Sequence, residues 1–477
     1  MKNRNIRFLI TIFVVRMTTL FMKLVGLNAT HFPGQLAKRL CPDFLSRLEK
    51  PEKIIGITGT NGKTTISNLL ADLARHFGLD FAHNAYGSNI EEGIITTLLE
   101  ASSFFGKRKK SLAILEIDER LTRIVFPDIK PDYLIVSNLF RESYLRNAHA
   151  EFIYGILEDN IPAETKLILN ADDMLSSNLA TGHESVSFSI ARLPDEARIN
   201  KNLIRDVVLC PSCYQPLVDD FIRYHHIGRA HCDNCGWRNG PADYELTVLQ
   251  RRSEPGQEIS ANDLAEADAV VIESQRWQNN ESKQVFPFVG ENMLDLYNSL
   301  AAISLFSELG YQPERIAEAL SQAAIGKSRK EIITAGPHTI YRMLAKGKNP
   351  IAVTRVLDAM MRRPGDKYIV LLVDTSLKEM SPEDNVAWIF DADLDLLNSD
   401  EVKQIVVAGM RSEDIRLALL LAGVPAAKIV TTRDKEASFE QLHLPDKAAT
   451  VAVLYELYSE SISRKIVQDL QREWDGN

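Results

Sequence analysis

The residues of this sequence best suited to chemistry form one short run, Gly59-Thr60-Asn61-Gly62-Lys63-Thr64-Thr65. The run follows an apolar stretch at 54–57 and opens a segment with helical periodicity. A glycine turn between a strand and a helix points backbone N–H groups at one spot, where phosphate binds. Lys63 can reach the terminal phosphates of a nucleotide, and the Thr64 hydroxyl suits Mg²⁺. The run therefore predicts an ATP site; the alternative is an ordinary glycine turn with a surface lysine.

A magnesium ligand is expected near this loop, because the phosphates of a bound nucleotide are held with Mg²⁺. Glu116 follows the apolar residues 112–115, which predict a buried strand. The carboxyl ends of parallel strands meet at one sheet edge, so Glu116 is expected to face the loop. Thr64 and Glu116 are the predicted magnesium residues, and Asp118 and Glu119 are the second candidates.

Four of the five cysteines form two Cys-x-x-Cys pairs separated by 18 residues: Cys210, Cys213, Cys232 and Cys235. This spacing is typical of a zinc ribbon, in which four thiolates close a tetrahedral, structural site. Paired thiolates of this kind indicate a reducing compartment. Three nearby histidines could replace a ligand, but four cysteines already complete the site, so His225, His226 and His231 are expected to be solvated.

The chain has 477 residues, with 55 basic against 64 acidic side chains. Its net charge of −9 argues against a general nucleic-acid binder. Short apolar strands alternating with helices predict an α/β fold with a parallel sheet. The candidate strands are 53–58, 112–117, 133–136, 166–169, 368–373, 404–408, 428–431 and 450–454.

We divide the chain into three parts from these patterns. Residues 1–48 form an N-terminal amphipathic segment, and residues 49–325 form the ATP-binding domain. The cysteine ribbon is inserted in that domain at about 205–240. Residues 326–477 form a second α/β domain.

The N-terminal segment leaves three interpretations open. Residues 8–27 are largely apolar, but two basic residues interrupt them, and the uncharged stretch 8–15 is too short to span a bilayer. Arg16, Thr19 and Lys23 are spaced to share one helical face. The helix could pack its apolar face on the protein, lie on an anionic membrane surface, or act as a signal or anchor.

Taken together, these motifs resemble the MurT family, the Mur ligase-like subunits of lipid II isoglutaminyl synthase, with changes that mark a divergent member. The shared segments are the GTNGKTT loop, the cysteine ribbon and residues 115–119, 138–141, 170–173, 297–302, 348–350, 388–391 and 409–414. By this resemblance, Asn138, Asn170 and Asp172 lie near the nucleotide. The alternative interpretation is a turn whose Asx side chains cap the next helix.

The resemblance implies a specific reaction. A MurT-like subunit uses ATP to phosphorylate the α-carboxylate of D-glutamate in the stem peptide of lipid II. Ammonia from a partner, the glutaminase GatD, then gives D-isoglutamine. The short segment before the loop has no room for the UDP-binding domain of other Mur ligases, which fits a lipid-linked substrate. The expected location is the cytoplasm, at the inner membrane face if the N-terminal helix binds lipid.

The resemblance also assigns a catalytic residue that completes the Cys–His pair of the partner. The family has an aspartate three residues before Trp388, where this chain has Asn385, with Asp384 beside it. Either residue could orient the partner's histidine. Two other functions stay open at this point: a stand-alone Mur or folylpolyglutamate-type ligase, and a non-catalytic P-loop module that uses ATP as a switch.

Overall fold

The computed structural model describes residues 5–26, 30–84, 89–141, 149–199, 202–277, 282–288, 290, 292–323, 330–345, 349–374 and 386–475. Asp384 and Asn385 lie outside these residues. The chain forms two compact units, and each is described by itself. The first unit comprises Met1–Phe140, His149–Asn200 and Asp206–Gly326. The second unit comprises Arg141–Ala148, Lys201–Arg205 and Lys327–Asn477.

The first unit is built from alternating strands and helices. Its strands are β1 (Lys53–Thr58), β2 (Phe81–His83), β3 (Leu112–Glu116), β4 (Tyr133–Val136), β5 (Lys166–Asn170), β6 (Ser185–Ile190), β7 (Val218–Tyr224), β8 (Ile227–His231), β9 (Tyr244–Arg251), β10 (Glu254–Glu258), β11 (Ala269–Glu273) and β12 (Lys283–Pro287). Its helices are α1 (Ile6–Leu24), α2 (Phe32–Leu40), α3 (Phe44–Arg47), α4 (Lys63–His76), α5 (Glu91–Glu100), α6 (Thr122–Val125), α7 (Ala150–Asn160), α8 (Met174–Asn178), α9 (Met293–Glu308) and α10 (Pro313–Gln322).

The main sheet of this unit has the order β12-β11-β9-β6-β5-β4-β1-β3-β2, with β10 paired to β9. Along this sheet, the neighbouring strands from β9 through β6, β5, β4, β1 and β3 to β2 pair in parallel. Strands β10, β11 and β12 pair antiparallel. Strand β1 lies between β3 and β4, where the chain order reverses. Ligands of such sheets bind at the carboxyl ends of the strands around this switch point. The loop after β1 lies there.

Both faces of the sheet are covered, which explains why its strands read as short apolar runs. One face packs against α1, α2, α5 and α7, with Phe8, Ile94 and Ile153 in the shared core. Helices α4, α9 and α10 contact one another and the sheet strands. The predicted α/β class with a parallel sheet is confirmed, and the predicted strands 53–58 and 133–136 match β1 and β4 at both ends.

Helix α1 confirms the interpretation that an apolar face packs on the protein, and it has a second apolar face. Phe8, Ile12 and Val15 are buried in the core, so one apolar face packs on the protein. Arg16 also reaches inward, because its guanidinium donates to the carbonyls of Ser102 and Ser103 at 2.8 Å, whereas Lys23 is exposed and pairs with Glu100. The opposite face is apolar and exposed. Among the described residues, no helix combines the length and hydropathy needed to cross a bilayer.

The second unit is a smaller α/β structure. Its elements are β13 (Lys330–Ala335), β14 (His338–Leu344), α11 (Pro350–Met361), β15 (Lys367–Leu372), α12 (Trp388–Asp391), β16 (Val402–Ala408), α13 (Ser412–Leu421), β17 (Ile429–Thr432), β18 (Thr450–Tyr455) and α14 (Glu460–Asp475). The sheet order is β13-β14-β18-β15-β16-β17, parallel except for the β13–β14 hairpin. Apolar clusters fill both faces, one under α11, α12 and α13 and the other under α14. The predicted second α/β rhythm is confirmed.

Candidate nucleotide site and metal centre

The loop between β1 and α4 is a backbone cradle that requires glycine at two positions. Gly59 and Gly62 have φ values of 120° and 91°, which side-chain-bearing residues rarely adopt. A Cβ on Gly59 would lie 2.3 Å from the Ser137 hydroxyl, and a Cβ on Gly62 would lie 2.3 Å from the Asn298 amide oxygen. Gly62 caps α4 without a side-chain bond. The first N–H groups of a helix have no partner within it, so they are available to an anion.

Lys63 lies at the start of α4 with its ammonium group inside the loop. It donates to the Gly59 carbonyl and pairs with Glu119, with Nζ 2.7 Å from Oε1. The same Glu119 oxygen accepts the Gly59 N–H at 2.9 Å. Both side chains of the ion pair are buried. Glu119, named from the sequence as a second candidate for magnesium, is therefore the residue that holds the lysine.

Glu116 has the position that its predicted role requires. It ends β3 opposite Ile57 of β1, and its Oε2 accepts the Thr64 hydroxyl at 3.0 Å. Asn84 fixes its backbone with two hydrogen bonds, at 2.7 and 2.8 Å. Asp118 instead caps a short turn by accepting the Arg120 N–H. Thr64 and Glu116 are thus neighbouring oxygen donors beside the cradle, and Thr65 lies next to them in the first turn of α4.

Asn138 and Asn170 position the loop through hydrogen bonds to backbone groups. The Asn138 side chain accepts the Asn61 N–H at 3.0 Å and donates to the Asn61 carbonyl at 3.1 Å. Asn170 donates to the carbonyl of Ser137 at 3.2 Å. Thr60 is held by the backbone of Phe140. The contact of Asn138 and Asn170 with a nucleotide stays a prediction; their visible contacts position the loop.

Asp172 is buried in a polar network. Its Oδ2 accepts from the Tyr297 hydroxyl at 2.8 Å and from the Ile190 N–H at 2.9 Å. The guanidinium groups of Arg223 and Arg229 contact the same carboxylate at 3.4 and 3.3 Å. Burial raises the pKa of Tyr297 well above its usual range, so its hydroxyl stays a donor. These contacts connect the loop after β5 to β6, β7, β8 and α9. A contact of Asp172 with a nucleotide stays a prediction.

The adjacent Asp173 confirms the alternative interpretation of this turn. Its side chain accepts the Leu175 N–H at 3.0 Å and caps α8. Its second oxygen accepts the Leu139 N–H at 2.7 Å. The turn therefore both caps a helix and supports the neighbouring loop.

Asn298 is a candidate residue that sequence analysis missed. It lies in α9 and is 2% exposed, and its amide oxygen and nitrogen have no hydrogen-bond partner among the described residues. Its amide faces Gly62 of the cradle. Buried polar groups are nearly always hydrogen-bonded, so an unpaired amide beside an anion-binding loop fits a ligand contact. The sequence did contain a signal for this residue. Asn298 is an asparagine in a helix whose other buried residues are mostly apolar or small.

The four cysteine sulfurs converge, as the ribbon prediction requires. Cys210 and Cys235 lie 3.5 Å apart, as do Cys213 and Cys232, and all four sulfurs lie within 4.8 Å of one another. The hairpin of β7 and β8 joins the two knuckles. Four sulfurs at this spacing fit a tetrahedral zinc ion, and the cluster could hold a metal.

The expectation that the nearby histidines are solvated is wrong for two of them. His225 and His226 are buried at the tip of the hairpin, because the tip docks on the loop after β5. His226 bonds Asp173 at 3.1 Å, and its ring lies 4.4 Å from that of Phe140. His231 is partly exposed and bonds Asp220. The ribbon thus contacts the backbone that supports Thr60 of the cradle.

The buried His83 is expected to make the stability of this unit depend on pH. Burial, with a smaller effect of Arg75, lowers the pKa of His83 from 6.5 to about 4. The folded state disfavours protonation of His83. The contribution of neutral His83 to the free energy of unfolding is therefore complete above the pKa of 6.5 that applies in the unfolded state, and it is lost as the pH falls toward 4. We expect the free energy of unfolding to drop by about 2 kcal/mol between pH 7 and pH 5. Urea titrations of wild type and His83→Gln should show a smaller drop for the variant; equal drops would contradict the expectation.

Known proteins resemble both units of this chain. Residues 347–459 match the MurT ligase C-terminal family. The chain is 28% identical over 409 residues to "Lipid II isoglutaminyl synthase (glutamine-hydrolyzing) subunit MurT" of Staphylococcus aureus, covering 85% of this chain and 86% of the relative. It is 26% identical to the subunit of the same name from Streptococcus pneumoniae, covering 97% and 99%.

Solved Mur-type ligases share the fold. A pseudomurein peptide ligase type C from Methanothermus fervidus has a TM-score of 0.64 at 18% identity, covering 90% of this chain and 81% of the relative. The MurF ligase of Thermotoga maritima, solved with ADP, has a TM-score of 0.55 at 14% identity, covering 94% and 86%. Both likenesses show the fold of this chain. The chain is a homologue of the MurT subunits of lipid II isoglutaminyl synthase, and it has the α/β fold of the Mur ligases.

Proposed function

We propose that this chain is the ligase subunit of a two-protein enzyme that amidates the α-carboxylate of D-glutamate in the stem peptide of lipid II. One observation carries the proposal: a MurT C-terminal match stands in the same chain as a complete phosphate cradle with a buried lysine. The lipid carrier of such a substrate places the reaction at the inner face of a membrane.

The cradle residues have separable roles in this proposal. The N–H groups at the start of α4 hold the phosphates of ATP, and Lys63 exchanges Glu119 for the terminal phosphate. Thr64 and Glu116 hold Mg²⁺, which neutralises charge on the phosphates when it is bound. The Asn298 amide bonds the nucleotide through the atoms that are otherwise unpaired.

The chemistry follows from the weakness of a carboxylate as an acyl donor. A carboxylate oxygen attacks the γ-phosphorus, the bond to the bridging oxygen breaks, and ADP leaves. Ammonia then attacks the acyl carbon, the C–O bond breaks with its electron pair on phosphate, and a proton is released. The products are a carboxamide, ADP and phosphate. The lysine and the helix N-terminus stabilise charge on the transferred group.

Asn298 gives a prediction that separates ligand binding from stability. Asn298→Ala is expected to weaken ATP binding about five- to tenfold, the equivalent of about one hydrogen bond. Stability should change little, since the amide has no hydrogen bond to lose in the part of the chain that the structure describes. Ser304→Ala is the matched control, because that buried hydroxyl of α9 also has no partner within the described ranges. Calorimetric titration with ATP measures both; unchanged affinity in Asn298→Ala would remove the residue from the site.

The ammonia source is a GatD-like glutaminase whose triad this chain completes through Asp384 or Asn385. We expect alanine at one of these positions to lower glutamine hydrolysis by the partner about a hundredfold, since the histidine loses its orienting group. The exposed Asp446 provides a control substitution to alanine. Glutamate release by the purified complex measures the effect. Full hydrolysis in both variants would place the third triad residue elsewhere.

The cysteine ribbon is proposed to hold one structural zinc through Cys210, Cys213, Cys232 and Cys235. Four thiolates leave no open coordination position, so the ion takes no part in the reaction. Its role is to hold the hairpin whose tip contacts Asp173 and Phe140.

Co-expression with a candidate glutaminase tests the proposed function as a whole. The purified complex, given lipid II, ATP and glutamine, should convert the stem peptide to the carboxamide, as measured by mass spectrometry. Product that forms without glutamine or ammonia would contradict an amidating ligase. ATP hydrolysis that needs no carboxylate substrate would favour the P-loop switch instead.

A further inference from the structure

The outer face of α1 is an exposed apolar surface. Nine apolar side chains of this helix point away from the core with exposures between 36% and 76%: Ile6, Leu9, Ile10, Phe13, Val14, Met17, Leu20, Phe21 and Leu24. On a helical wheel they form one uninterrupted sector without a charged or polar side chain. Monomeric proteins rarely expose contiguous apolar patches larger than a few hundred Å² without a binding function.

A neighbouring turn extends this surface. Phe104 and Phe105 are exposed at 45% and 64%. The Phe104 ring lies 6.0 Å from the ring of Phe13 on α1. The turn is fixed on the helix, because Gly106 packs directly against Phe8 and Ile12. The two phenylalanines and the outer face of α1, together called the α1 surface, are therefore one continuous patch.

Basic residues border the α1 surface. After Gly106, the two phenylalanines are followed by Lys107, Arg108, Lys109 and Lys110. Arg108 pairs with Glu52 and Lys110 with Asp80. In the part of the chain that the structure describes, the exposed Lys107 and Lys109 have no acidic partner. The border therefore carries positive charge that an anionic surface would neutralise.

We propose that the α1 surface docks on an anionic lipid bilayer, with its apolar side chains in the acyl–headgroup boundary and the lysines at the headgroups. Two observations favour a bilayer over a protein partner. The apolar sector offers no polar groups to form the hydrogen bonds of a protein interface. A flat apolar face with a basic border is typical of helices that lie in the membrane interface.

The inner side of α1 fixes its orientation. Phe8, Ile12 and Val15 are buried in the core, and the Arg16 guanidinium is bonded to backbone carbonyls of residues 99–103. The helix therefore lies along the bilayer with only its outer side in lipid. The inference deepens the proposed function by naming how the enzyme reaches a lipid-linked substrate, and it rests on that function only for the identity of this substrate.

Vesicle flotation of the full chain tests the inference. The wild type is expected to float with phosphatidylcholine vesicles that contain phosphatidylglycerol, and much less with phosphatidylcholine alone. Phe21→Ser combined with Phe105→Ser should weaken binding about tenfold or more. Lys107→Ala combined with Lys109→Ala should weaken binding to the anionic vesicles about tenfold. Leu421→Ser combined with Tyr458→Ser is the control, because these positions of the second unit are equally exposed. This variant should bind the vesicles as the wild type does.

The outcomes separate this inference from the proposed function. Wild-type protein that amidates detergent-solubilised lipid II but does not float overturns the membrane inference alone. Protein that floats as expected but shows no amidation would support the membrane inference and contradict the proposed function. If the wild type forms dimers that Phe21→Ser dissociates, and binds no vesicles, the α1 surface is a protein interface and the inference is wrong.

Discussion

Replacing Lys63 with alanine is expected to lower glutamine-dependent amidation about 10²- to 10³-fold while the complex with the glutaminase stays intact. Lys63 is the cation inside the cradle, and its ammonium group is 2.7 Å from Glu119 rather than in solvent. Removing a preorganised charge at a transferred phosphoryl group costs transition-state stabilisation of this order. Mass spectrometry of the lipid II product gives the rate, and co-purification reports the complex.

Stability needs a separate control, because the substitution leaves Glu119 buried without its partner. An unpaired buried charge is destabilising by several kcal/mol. Lys63→Met with Glu119→Gln removes both charges and keeps the volume, so this double variant should fold and still lack activity. Lys130→Ala removes a surface ion pair with Glu164 and should behave as wild type. Amidation retained by the double variant would show that the loop is not the ATP site.

Removing zinc is expected to have the second large effect, on both stability and nucleotide binding. Cys232→Ser should reduce zinc from about one ion per chain to almost none. A structural zinc supplies about 10 kcal/mol or more to the folding of small metal-binding modules. Without it, the hairpin tip should detach from Asp173 and Phe140, and the support of Thr60 should weaken.

Metal analysis, thermal unfolding and ATP titration measure the three parts of this expectation. Cys41→Ala is the matched control, because Cys41 is buried near Asp43 and outside the cluster. It should retain zinc and ATP affinity. A wild-type chain that is folded and contains no metal would overturn the zinc centre. If a Cys232→Ser chain lacks zinc but binds ATP normally, the ribbon does not support the nucleotide site.

The sequence predicted four strands of the main sheet, β1, β3, β4 and β5, and missed its other strands. Strands such as β1 and β4 are buried on both faces, so each is a short apolar run between turns. None of the predicted strands lies in residues 241–285, yet this segment holds β9, β10 and β11. Strand β9 alternates buried and partly exposed residues, and β10 is fully exposed. One-sided strands without a clear apolar run give a weak signal.

Local spacing in the sequence was enough to predict the phosphate cradle and the cysteine cluster, because each is built from residues close together in the chain. Only tertiary structure could pair Lys63 with Glu119, since the two lie 56 residues apart. The same holds for Asn298, which reaches Gly62 from a helix far along the chain. The outward face of α1 was also decided by packing, because this helix is apolar on two sides and the core could bury only one.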